Sequence, residues 1–420
     1  MTTPEVPVPD VPAPSATEQQ GSAPDAGLSL IVSRWWDNVR SGEIGSAPII
    51  LAIVLITIFF YSKNSNFVGA TNFNNLIVQM AGTATIAFGV VFVLLLGEID
   101  LSISYIGGVA GVVIAELQLP GSGHQFPGLI AIFVALLVGV GLGAFQGSFV
   151  AFLGVPSFVV TLAGNLAFQG IILRSLPQGV IVIQDNTINN IANYFFSPLG
   201  GWIIAAVVSL IYLVVVIGGI VGKRRHGVPT GNLLLEVAKV LGVTAIAFFV
   251  AYKSNTDPRR GVPFAGLLVV ALLLFWTFIA NRTTFGRHVY AVGGNAEAAR
   301  RAGINVQRIR LIVFMISGSM AALGGIVFAS RLRSVDLSAG GGTILLDAIS
   351  AAVIGGVSLF GGRGHPKAAV LGALVIAMIA NGIDLVGYSA STKYIVTGAI
   401  LLAAVTLDTV SRRRLAASGR

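Results

Sequence analysis

Long apolar runs occupy this chain from residue 47 to residue 409, and short polar or glycine-rich stretches separate them. Each run has the length, about 17 to 25 residues, of a helix that crosses a bilayer. None shows the alternation of polar and apolar residues that is typical of barrel strands. Because backbone groups in lipid need partners within their own helix, the pattern predicts an all-α, polytopic membrane protein. The twelve predicted spans lie near residues 47–62, 74–96, 101–118, 128–151, 157–173, 201–221, 233–252, 263–280, 309–330, 344–360, 368–386 and 392–409.

Three of the twelve predicted spans are weaker than the rest. The third, tenth and eleventh are short or interrupted by glycine. Irregular backbone at membrane depth is tolerated only where protein or a water-filled cavity surrounds it, and broken helices of this kind occur at binding sites in transporters. We therefore expect some short or broken helices and a total of about 10 to 12 spans.

The composition supports membrane insertion and excludes several other classes of protein. Hydrophobic residues make up 55% of the 420 residues and charged residues only 10%, which is too little charge for the surface of a soluble domain. Cysteine is absent, which excludes disulfides and thiolate chemistry. The four histidines are dispersed and no Walker-type phosphate loop occurs, so we predict neither a metal site nor ATP binding in this chain. The basic residues form no stripe of the kind that binds nucleic acid.

The distribution of basic residues predicts how the chain is oriented. With both termini in the cytoplasm, most of the 26 Lys and Arg residues fall on the cytoplasmic side, as the positive-inside rule requires. Residues 1–45 are rich in proline, alanine and serine, which predicts a disordered cytoplasmic tail. Residues 46–411 form the predicted transmembrane domain, which includes a cytoplasmic loop at 281–308. Residues 412–420 form a basic cytoplasmic C-terminus.

The predicted cytoplasmic loop contains one short helix whose two ends are both specified by the sequence. Asn295 is a good N-cap, Glu297 lies in the first turn, and Arg300 and Arg301 lie in the last turn, where their charges complement the helix dipole. Gly303 can take the left-handed conformation that ends a helix. A helix this short has no wide apolar face and is marginally stable by itself. We therefore expect it to pack against another surface. The candidate docking residues are Asn295, Glu297, Ala298, Ala299, Arg300, Arg301 and Gly303.

Two interpretations of this short helix remain open. In the first, it merely connects two spans at the cytoplasmic surface, where arginines are expected in any case. In the second, it is a docking site through which a soluble partner moves the membrane part of the protein.

Two carboxylates, Glu98 and Asp100, lie between the second and third spans in the sequence Gly97–Ser102. A catalytic pair would need a pocket whose environment holds the pKa values of the two carboxyl groups apart, so that one is the acid and the other the base. We favour a structural role, in which the carboxylates bond to backbone groups and Asp100 is the N-cap of the following helix.

A ridge of glycines, Gly139, Gly143 and Gly147, runs along the fourth span at four-residue spacing. Such a ridge allows another helix to approach closely, and we favour packing within the chain over a subunit interface. The chain has no strong internal repeat, although Gly382–Leu385 echoes Gly97–Leu101.

Polar side chains within two spans are candidates for a translocation path. Asn165 and Gln169 lie one turn apart in the fifth span, near Thr161 and Phe168, and Asn381 lies in the eleventh. Amides in lipid-embedded helices need partners, so hydrogen bonds between helices are the default interpretation. The sharper alternative is that these side chains line a path for a hydroxylated solute.

Several stretches of the chain together resemble one known family. They are Gly97–Ser102, Val155–Leu162, Thr284–Arg287 continuing to Gly294–Arg300, and Leu346–Ile349 through Gly355–Gly362. They resemble the membrane-spanning permeases of ABC importers for monosaccharides, the ribose, galactose and xylose group. The extra pair of spans at 201–252 looks most like the xylose branch of this family. Glu98 stands in place of the second glycine of the family's Gly-Gly-Ile-Asp-Leu-Ser.

The resemblance implies a transport subunit of the bacterial inner membrane rather than an enzyme. Two copies, or this chain with a related permease, would form one path for a sugar, and overall similarity points to D-xylose. Separate cytoplasmic ATPases would bind ATP and Mg and dock on the helix at 295–303, so the chain itself would need no cofactor. A sugar-binding protein would dock outside. Its candidate contacts are two pairs of outer arginines, Arg259, Arg260, Arg331 and Arg333.

Other functions remain open at this point. The chain could be an ABC permease for another sugar or for branched-chain amino acids, or a secondary carrier driven by an ion gradient. A proton-coupled carrier would need isolated carboxylates near the midplane, whereas Asp347, Asp384 and Asp408 lie near the ends of predicted spans. An intramembrane enzyme would need a nucleophile, a base or metal ligands that converge, and the sequence does not offer them.

Overall fold

The computed structural model describes residues 47–119, 125–227, 232–258 and 260–417. The predicted tail at 1–45 and Arg259 lie outside the described residues. Helices dominate the described residues, and the two strands found there form one small sheet. The helices are, in chain order, α1 (Ala47–Lys63), α2 (Ala70–Leu95), α3 (Ile103–Glu116), α4 (Gly128–Phe152), α5 (Ser157–Ser175), α6 (Asn186–Asn193), α7 (Pro198–Arg225), α8 (Leu233–Asn255), α9 (Phe264–Arg282), α10 (Thr284–Gly294), α11 (Ala296–Arg301), α12 (Val306–Leu332), α13 (Ile344–Ile354), α14 (Lys367–Val386) and α15 (Ala390–Ala417).

Each of the twelve predicted spans coincides with a helix. Within the described residues, eight helices are long and apolar enough to cross a membrane, and four apolar helices or helix segments are shorter. This confirms the predicted all-α, polytopic class. The third and tenth spans are short helices, since α3 has 14 residues and α13 has 11. The eleventh span, α14, is instead a continuous helix of 20 residues. The last helix runs past the predicted boundary at residue 412 and ends at Ala417.

The connections between the spans carry the remaining elements. α6 lies between α5 and α7, and α10 and α11 lie between α9 and α12. β1 (Val180–Val182) pairs antiparallel with β2 (Ser334–Asp336), so that Val180 is opposite Asp336 and Val182 is opposite Ser334. The sheet therefore joins the connection after α5 to the connection after α12.

The predicted glycine ridge of α4 packs within the chain, as the sequence favoured. Gly139 faces the backbone of Gly318 in α12, and an added Cβ there would lie 2.5 Å from the Gly318 carbonyl oxygen. Gly143 lies against the carbonyl of Phe314, and a Cβ on Gly147 would lie 2.7 Å from the Phe314 Cβ. The two helices thus approach to backbone contact, which only glycine on this face allows.

α2 and α12 cross at the centre of the protein and run in opposite directions. Gly82 lies against the ring of Phe328, whereas Gly89, two turns further along α2, lies against the backbone of Ser317. α2 is the most buried of the eight long apolar helices, with 83% of its apolar segment inside the protein. Both helices are therefore core elements rather than lipid-facing ones.

The two four-helix units α2–α5 and α12–α15 make equivalent contacts. α2 packs on α13 and α14 of the other unit, and α12 packs on α3 and α4. In each unit the short second helix contacts the third and the fourth. Since α2 and α12 are antiparallel, this arrangement is an inverted repeat of the kind common in transporters. Residue identities did not reveal it, and the Gly382–Leu385 echo lies inside α14, whereas Gly97–Leu101 is a loop.

A hairpin of two long helices, α7 and α8, is inserted between the two units. Only 6% of the apolar segment of α7 and none of that of α8 is buried inside the protein, so both helices have surfaces suited to lipid. The base of the hairpin is closed by backbone hydrogen bonds. Phe196 N–H donates to Val262 O at 2.9 Å, and Phe264 N–H donates to Tyr194 O at 3.0 Å.

Candidate functional site

The short helix predicted in the loop 281–308 is α11, and it begins as predicted. The side-chain oxygen of Asn295 accepts a hydrogen bond from Ala298 N–H at 2.9 Å. Glu297 in the first turn pairs with Arg300 at 3.2 Å and with Arg301 at 3.2 Å. All three charged side chains are more than half exposed, so each pair contributes only about 0.3–0.5 kcal/mol. The helix therefore presents a charged, solvent-facing surface.

The C-terminal end of α11 also has the predicted form. Gly303 has a φ of 84°, and its N–H donates to Arg300 O at 3.0 Å while Ile304 N–H donates to Ala299 O at 3.0 Å. This is the Schellman arrangement, which satisfies the last carbonyls of a helix. Ala299 is the buried residue of α11 and anchors it on the protein. Since Asn295 and Gly303 cap both ends, α11 is a defined unit.

α10 holds α11 against two neighbouring parts of the chain. Gly293 lies against the carbonyl of Leu95 at the end of α2. The Tyr290 hydroxyl donates to Gly364 O at 2.9 Å, in the loop that follows α13. That loop in turn donates from Gly362 N–H to Leu95 O at 2.9 Å. A displacement of α11 would therefore act on α2 and on this loop.

Two titratable groups at this junction have shifted pKa values. Burial raises the pKa of the Tyr290 phenol. Burial, and then the positive charge of Lys367, lowers the pKa of His365. The His365 Nδ1 accepts from Lys367 N–H at 3.2 Å, and its Nε2 lies 3.0 Å from the side-chain amide nitrogen of Asn281. An imidazole that accepts with Nδ1 is neutral, so this junction favours uncharged His365.

The carboxylate of Asp100 lies at the centre of a buried polar cluster. Its Oδ1 accepts from Ser102 N–H at 3.0 Å and from Ser102 Oγ at 2.7 Å, and its Oδ2 accepts from Ser317 Oγ of α12 at 2.7 Å. The Gln146 side chain of α4 lies 3.0 Å from Ser102 Oγ. The predicted N-cap role of Asp100 is wrong, because Ser102 takes that position without a side-chain capping bond. The role of Asp100 is nevertheless structural, since it ties the loop to α12.

The second carboxylate of this loop, Glu98, forms an ion pair with Arg310. Glu98 Oε1 lies 3.1 Å from Arg310 Nε, and the two side chains are 15% and 30% exposed. The Arg310 Nε is buried but makes no well-directed hydrogen bond. Among the ion pairs of the described residues, this one joins distant parts of the chain, while the other three lie within single helices.

Two of the predicted path residues, Thr161 and Asn165, contact the backbone of the same loop. Asn165 Nδ2 donates to Leu101 O at 2.7 Å. Thr161 Oγ1 donates to Ser157 O at 2.8 Å and lies 3.3 Å from Ile99 O. Asn165 thus bonds to a loop and the shorter Thr161 bond lies within α5, whereas hydrogen bonds between helices were the default prediction.

The other predicted path residues do not all lie at this place. Phe168 packs in the core of the protein with 5% of its surface exposed, and Gln169 is half-buried on α5. Asn381 of α14 is buried, and its side-chain oxygen accepts from Asn72 Nδ2 at 2.9 Å. Since Asn72 lies at the start of α2, Asn381 is at the opposite end of α2 from the loop with Asp100. A role of these residues in a path stays a prediction.

The predicted outer arginines that the structure describes lie in two different parts of the chain. Arg260, between α8 and α9, donates to Asn75 Oδ1 at 3.1 Å, and its guanidinium carbon lies 4.9 Å from the centre of the Phe195 ring. Arg331 is exposed at the end of α12. Arg333 follows in a left-handed conformation, with a φ of 54°. Their contact with a binding protein stays a prediction.

A cavity of about 370 Å³ opens between α3, α12 and the segment from β2 to α13. Apolar side chains such as Phe328 and Leu332 line it together with Asp336, Ser338 and Tyr394 of α15. Asp336 Oδ1 accepts from Ser338 N–H at 2.8 Å and from Ser338 Oγ at 2.6 Å. This cavity was not predicted from the sequence, because its lining comes from separate segments that share no motif.

Comparisons with known proteins place the chain among transport subunits. The family model for the branched-chain amino acid transport system / permease component matches residues 72–405. The xylose transport system permease protein of Escherichia coli K12 is 38% identical over 388 residues, which cover 92% of this chain and 97% of that protein. The corresponding protein of Haemophilus influenzae is 35% identical over 87% of this chain and 96% of that protein. The D-allose transport system permease protein of Escherichia coli K12 is 32% identical over 86% of this chain and 89% of that protein.

No solved structure matches the chain. The family match spans most of the chain, including α2 to α14, the loop with Asp100 and the helix α11. Together with the apolar helices, these similarities identify a multi-pass permease subunit of the inner membrane rather than an enzyme. The chain therefore belongs to the family of branched-chain amino acid transport system permease components.

Proposed function

We propose that this chain is the membrane-spanning permease of an ABC importer for a monosaccharide, and that the sugar is D-xylose. The observation that carries this proposal is similarity along nearly the whole length of two xylose permeases, at 38% and 35% identity. A third relative is named as a permease for another sugar, D-allose. The inverted repeat adds physical support, because alternating access works by movement of one repeat against the other.

Two permease copies would form one path, and cytoplasmic ATPases would dock on α11. Several features of α11 support this assignment: it is capped at both ends, exposes three charged side chains and has Ala299 as its buried residue. The excess of basic residues in the loop 281–308 supports a cytoplasmic position for α11. The ATPases would supply the ATP and Mg sites, and their closure would move the two copies of α11 together.

The remaining assignments follow from this orientation. The sheet of β1 and β2, Arg331 and Arg333 would lie outside, where a sugar-binding protein would dock on Arg259, Arg260, Arg331 and Arg333. The cavity beside Asp336 would be open to the same side. Thr161, Asn165, Phe168, Gln169 and Asn381 remain the proposed residues of the path, although the hydrogen bonds of Asn165 and Asn381 support a positioning role for both.

The docking proposal is tested by ATP hydrolysis in proteoliposomes that hold the chain, its ATPase and a xylose-loaded binding protein. We expect the loaded binding protein to stimulate hydrolysis, and we expect Glu297→Ala and Arg300→Ala to abolish this stimulation. The matched control is Glu236→Ala, which removes a similar ion pair, with Lys239, from the lipid-facing hairpin. If Glu297→Ala behaves like Glu236→Ala, α11 is a plain connection.

The substrate is tested by uptake of one solute at a time, with its own binding protein supplied. Uptake of xylose that requires ATP supports the proposal. The second candidate function is transport of branched-chain amino acids, which the family description names. Leucine is therefore the comparison solute. Stimulation by ribose or leucine but not by xylose keeps the mechanism and changes the substrate. Uptake that persists without ATP and stops when the proton or sodium gradient is removed would identify a secondary carrier.

A further inference from the structure

The loop Gly97–Ser102 is held between one face of α12 and one face of α5. We propose that this loop transmits movement of α11 and α12 to α5, and that the Glu98–Arg310 ion pair is its adjustable contact. The inference rests on the proposed docking role of α11. It adds positioning residues that neither the family match nor the relatives assign.

The first step is the connection from α11 to Arg310. The Schellman cap at Gly303 ends α11, and the next helix starts at once, with the Asn305 side chain accepting from Arg308 N–H at 2.9 Å. Val306 and Ile309, in the first turn of α12, are buried. The link between the helices is thus short and capped on both sides, so a displacement of α11 has to move the first turns of α12.

The second step is the connection from α12 to the loop. Arg310 and Ser317 are seven residues apart, which is close to two turns, so they lie on the same face of α12. Arg310 contacts Glu98 at 3.1 Å, and Ser317 bonds to Asp100 at 2.7 Å. Two acidic side chains that are two residues apart in the loop are therefore attached to one stripe of α12.

The third step is the connection from the loop to α5. Ser157, Thr161 and Asn165 have the spacing i, i+4 and i+8, which puts them on one face of α5. Ser157 Oγ accepts from Ile99 N–H at 3.2 Å, and Asn165 Nδ2 donates to Leu101 O at 2.7 Å. Thr161 contributes less, because its one proton is shared with Ser157 O at 2.8 Å. The loop residues that face α5 thus alternate with those that face α12.

The two contacts of the loop with α12 differ in burial and in hydrogen bonding, so we expect them to have different roles. Asp100, Ser102 and Ser317 are buried, and both Asp100 side-chain oxygens are hydrogen-bonded, so moving this contact would leave buried polar atoms without partners. The Glu98–Arg310 contact is partly exposed, and the Arg310 Nε–H is not directed at an acceptor. A small shift of α12 can therefore tighten or release this pair at little cost while Asp100 stays in place.

The ion pair is tested by the ratio of stimulated to basal ATP hydrolysis in the assembled transporter. Glu98→Gln and Arg310→Gln are expected to lower this ratio by about fivefold or more, the usual size of a coupling free energy between sites. The exchange of charges in Glu98→Lys with Arg310→Glu is expected to restore much of the ratio. Glu236→Gln, which breaks an exposed pair of the hairpin, is the matched control and should leave it unchanged.

The outcomes separate this inference from the proposed function. If the unaltered protein shows no stimulation by any loaded binding protein, the proposed function fails. If it is stimulated and both Gln variants keep the full ratio, or the charge exchange restores none of the lost ratio, the transmission role of Glu98 is wrong. Co-purification of the ATPase with each variant confirms that a lost ratio reflects coupling and not lost assembly.

A second measurement does not depend on changing the ion pair. The chain has no cysteine, so Ile99→Cys supplies a single thiol at a loop position that is 38% exposed. We expect the rate of maleimide labelling at this thiol to change when ATP and vanadate close the ATPases. A rate that is the same with and without nucleotide would refute movement of the loop, even if the Glu98 variants failed to fold.

Discussion

Replacement of Gly143 by alanine tests whether the contact between α4 and α12 sets the stability of the fold. A Cβ at Gly143 would overlap the carbonyl oxygen of Phe314 and lie 3.0 Å from its carbonyl carbon and 3.2 Å from the Met315 Cα. These are backbone atoms of α12, so no side-chain rotation relieves the overlap. One of the two helices has to move away from the other.

The size of the effect follows from two opposing contributions. Replacing a helical glycine by alanine stabilises a helix by about 1 kcal/mol, whereas overpacking of a tight interior destabilises by about 1–3 kcal/mol. Gly141 lies in the same helix, is exposed, and has nothing within 4 Å of an added Cβ. Gly141→Ala therefore changes the free energy of unfolding through helix propensity alone. Gly143→Ala should be less stable than Gly141→Ala by about 1–3 kcal/mol.

The assay is unfolding of the purified protein in mild detergent by added SDS, followed by circular dichroism. The midpoint for Gly141→Ala should lie at or above that of the unaltered protein, and the midpoint for Gly143→Ala should lie clearly below that of Gly141→Ala. Equal midpoints for the two variants would mean that α4 and α12 are not in backbone contact.

Three further predictions concern α11, its junction and the cavity. Asn295→Ala removes a cap worth about 1 kcal/mol, so the amide of Ala298 should exchange with deuterium faster, while Asn295→Ser should preserve its protection. The pKa of His365 is lowered in the folded protein, so as pH falls the unfolded chain binds a proton at this residue before the folded protein does. The melting temperature should therefore drop as pH falls below about 6.5. The drop should be smaller in His365→Gln. Asp336→Asn, which keeps the turn to Ser338 but removes the charge of the cavity, should slow sugar uptake without lowering stimulated ATP hydrolysis; uptake at the normal rate would exclude a role for that charge.

Features that depend on near neighbours in the chain could be predicted from the sequence. The caps of α11 involve residues three to five positions apart, and Asn295 and Gly303 are types with a strong preference for those positions. The twelve spans follow in the same way from local runs of apolar residues. The ridge at Gly139, Gly143 and Gly147 predicted a close helix contact, and only the identity of the partner, α12, required the structure.

Features that depend on distant neighbours could not be predicted. Asn165 and Leu101 are 64 residues apart, and Glu98 and Arg310 are further apart still, so no local pattern pairs them. An amide within a span looks the same in the sequence whether it lines a path or holds a loop, and only the structure shows that Asn165 donates to the Leu101 carbonyl. The inverted repeat was hidden because equivalent helices share contacts but not residue types.

The closed base of the α7–α8 hairpin has a consequence for how this architecture can change over evolution. The chain enters the hairpin at Tyr194–Phe196 and leaves it at Val262–Phe264, and these two segments are already hydrogen-bonded to each other. A deletion that removed both helices could be closed by a short turn, and it would neither reverse the direction of α9 nor disturb either repeat. The hairpin is thus a cassette that a lineage can gain or lose without rebuilding the transporter.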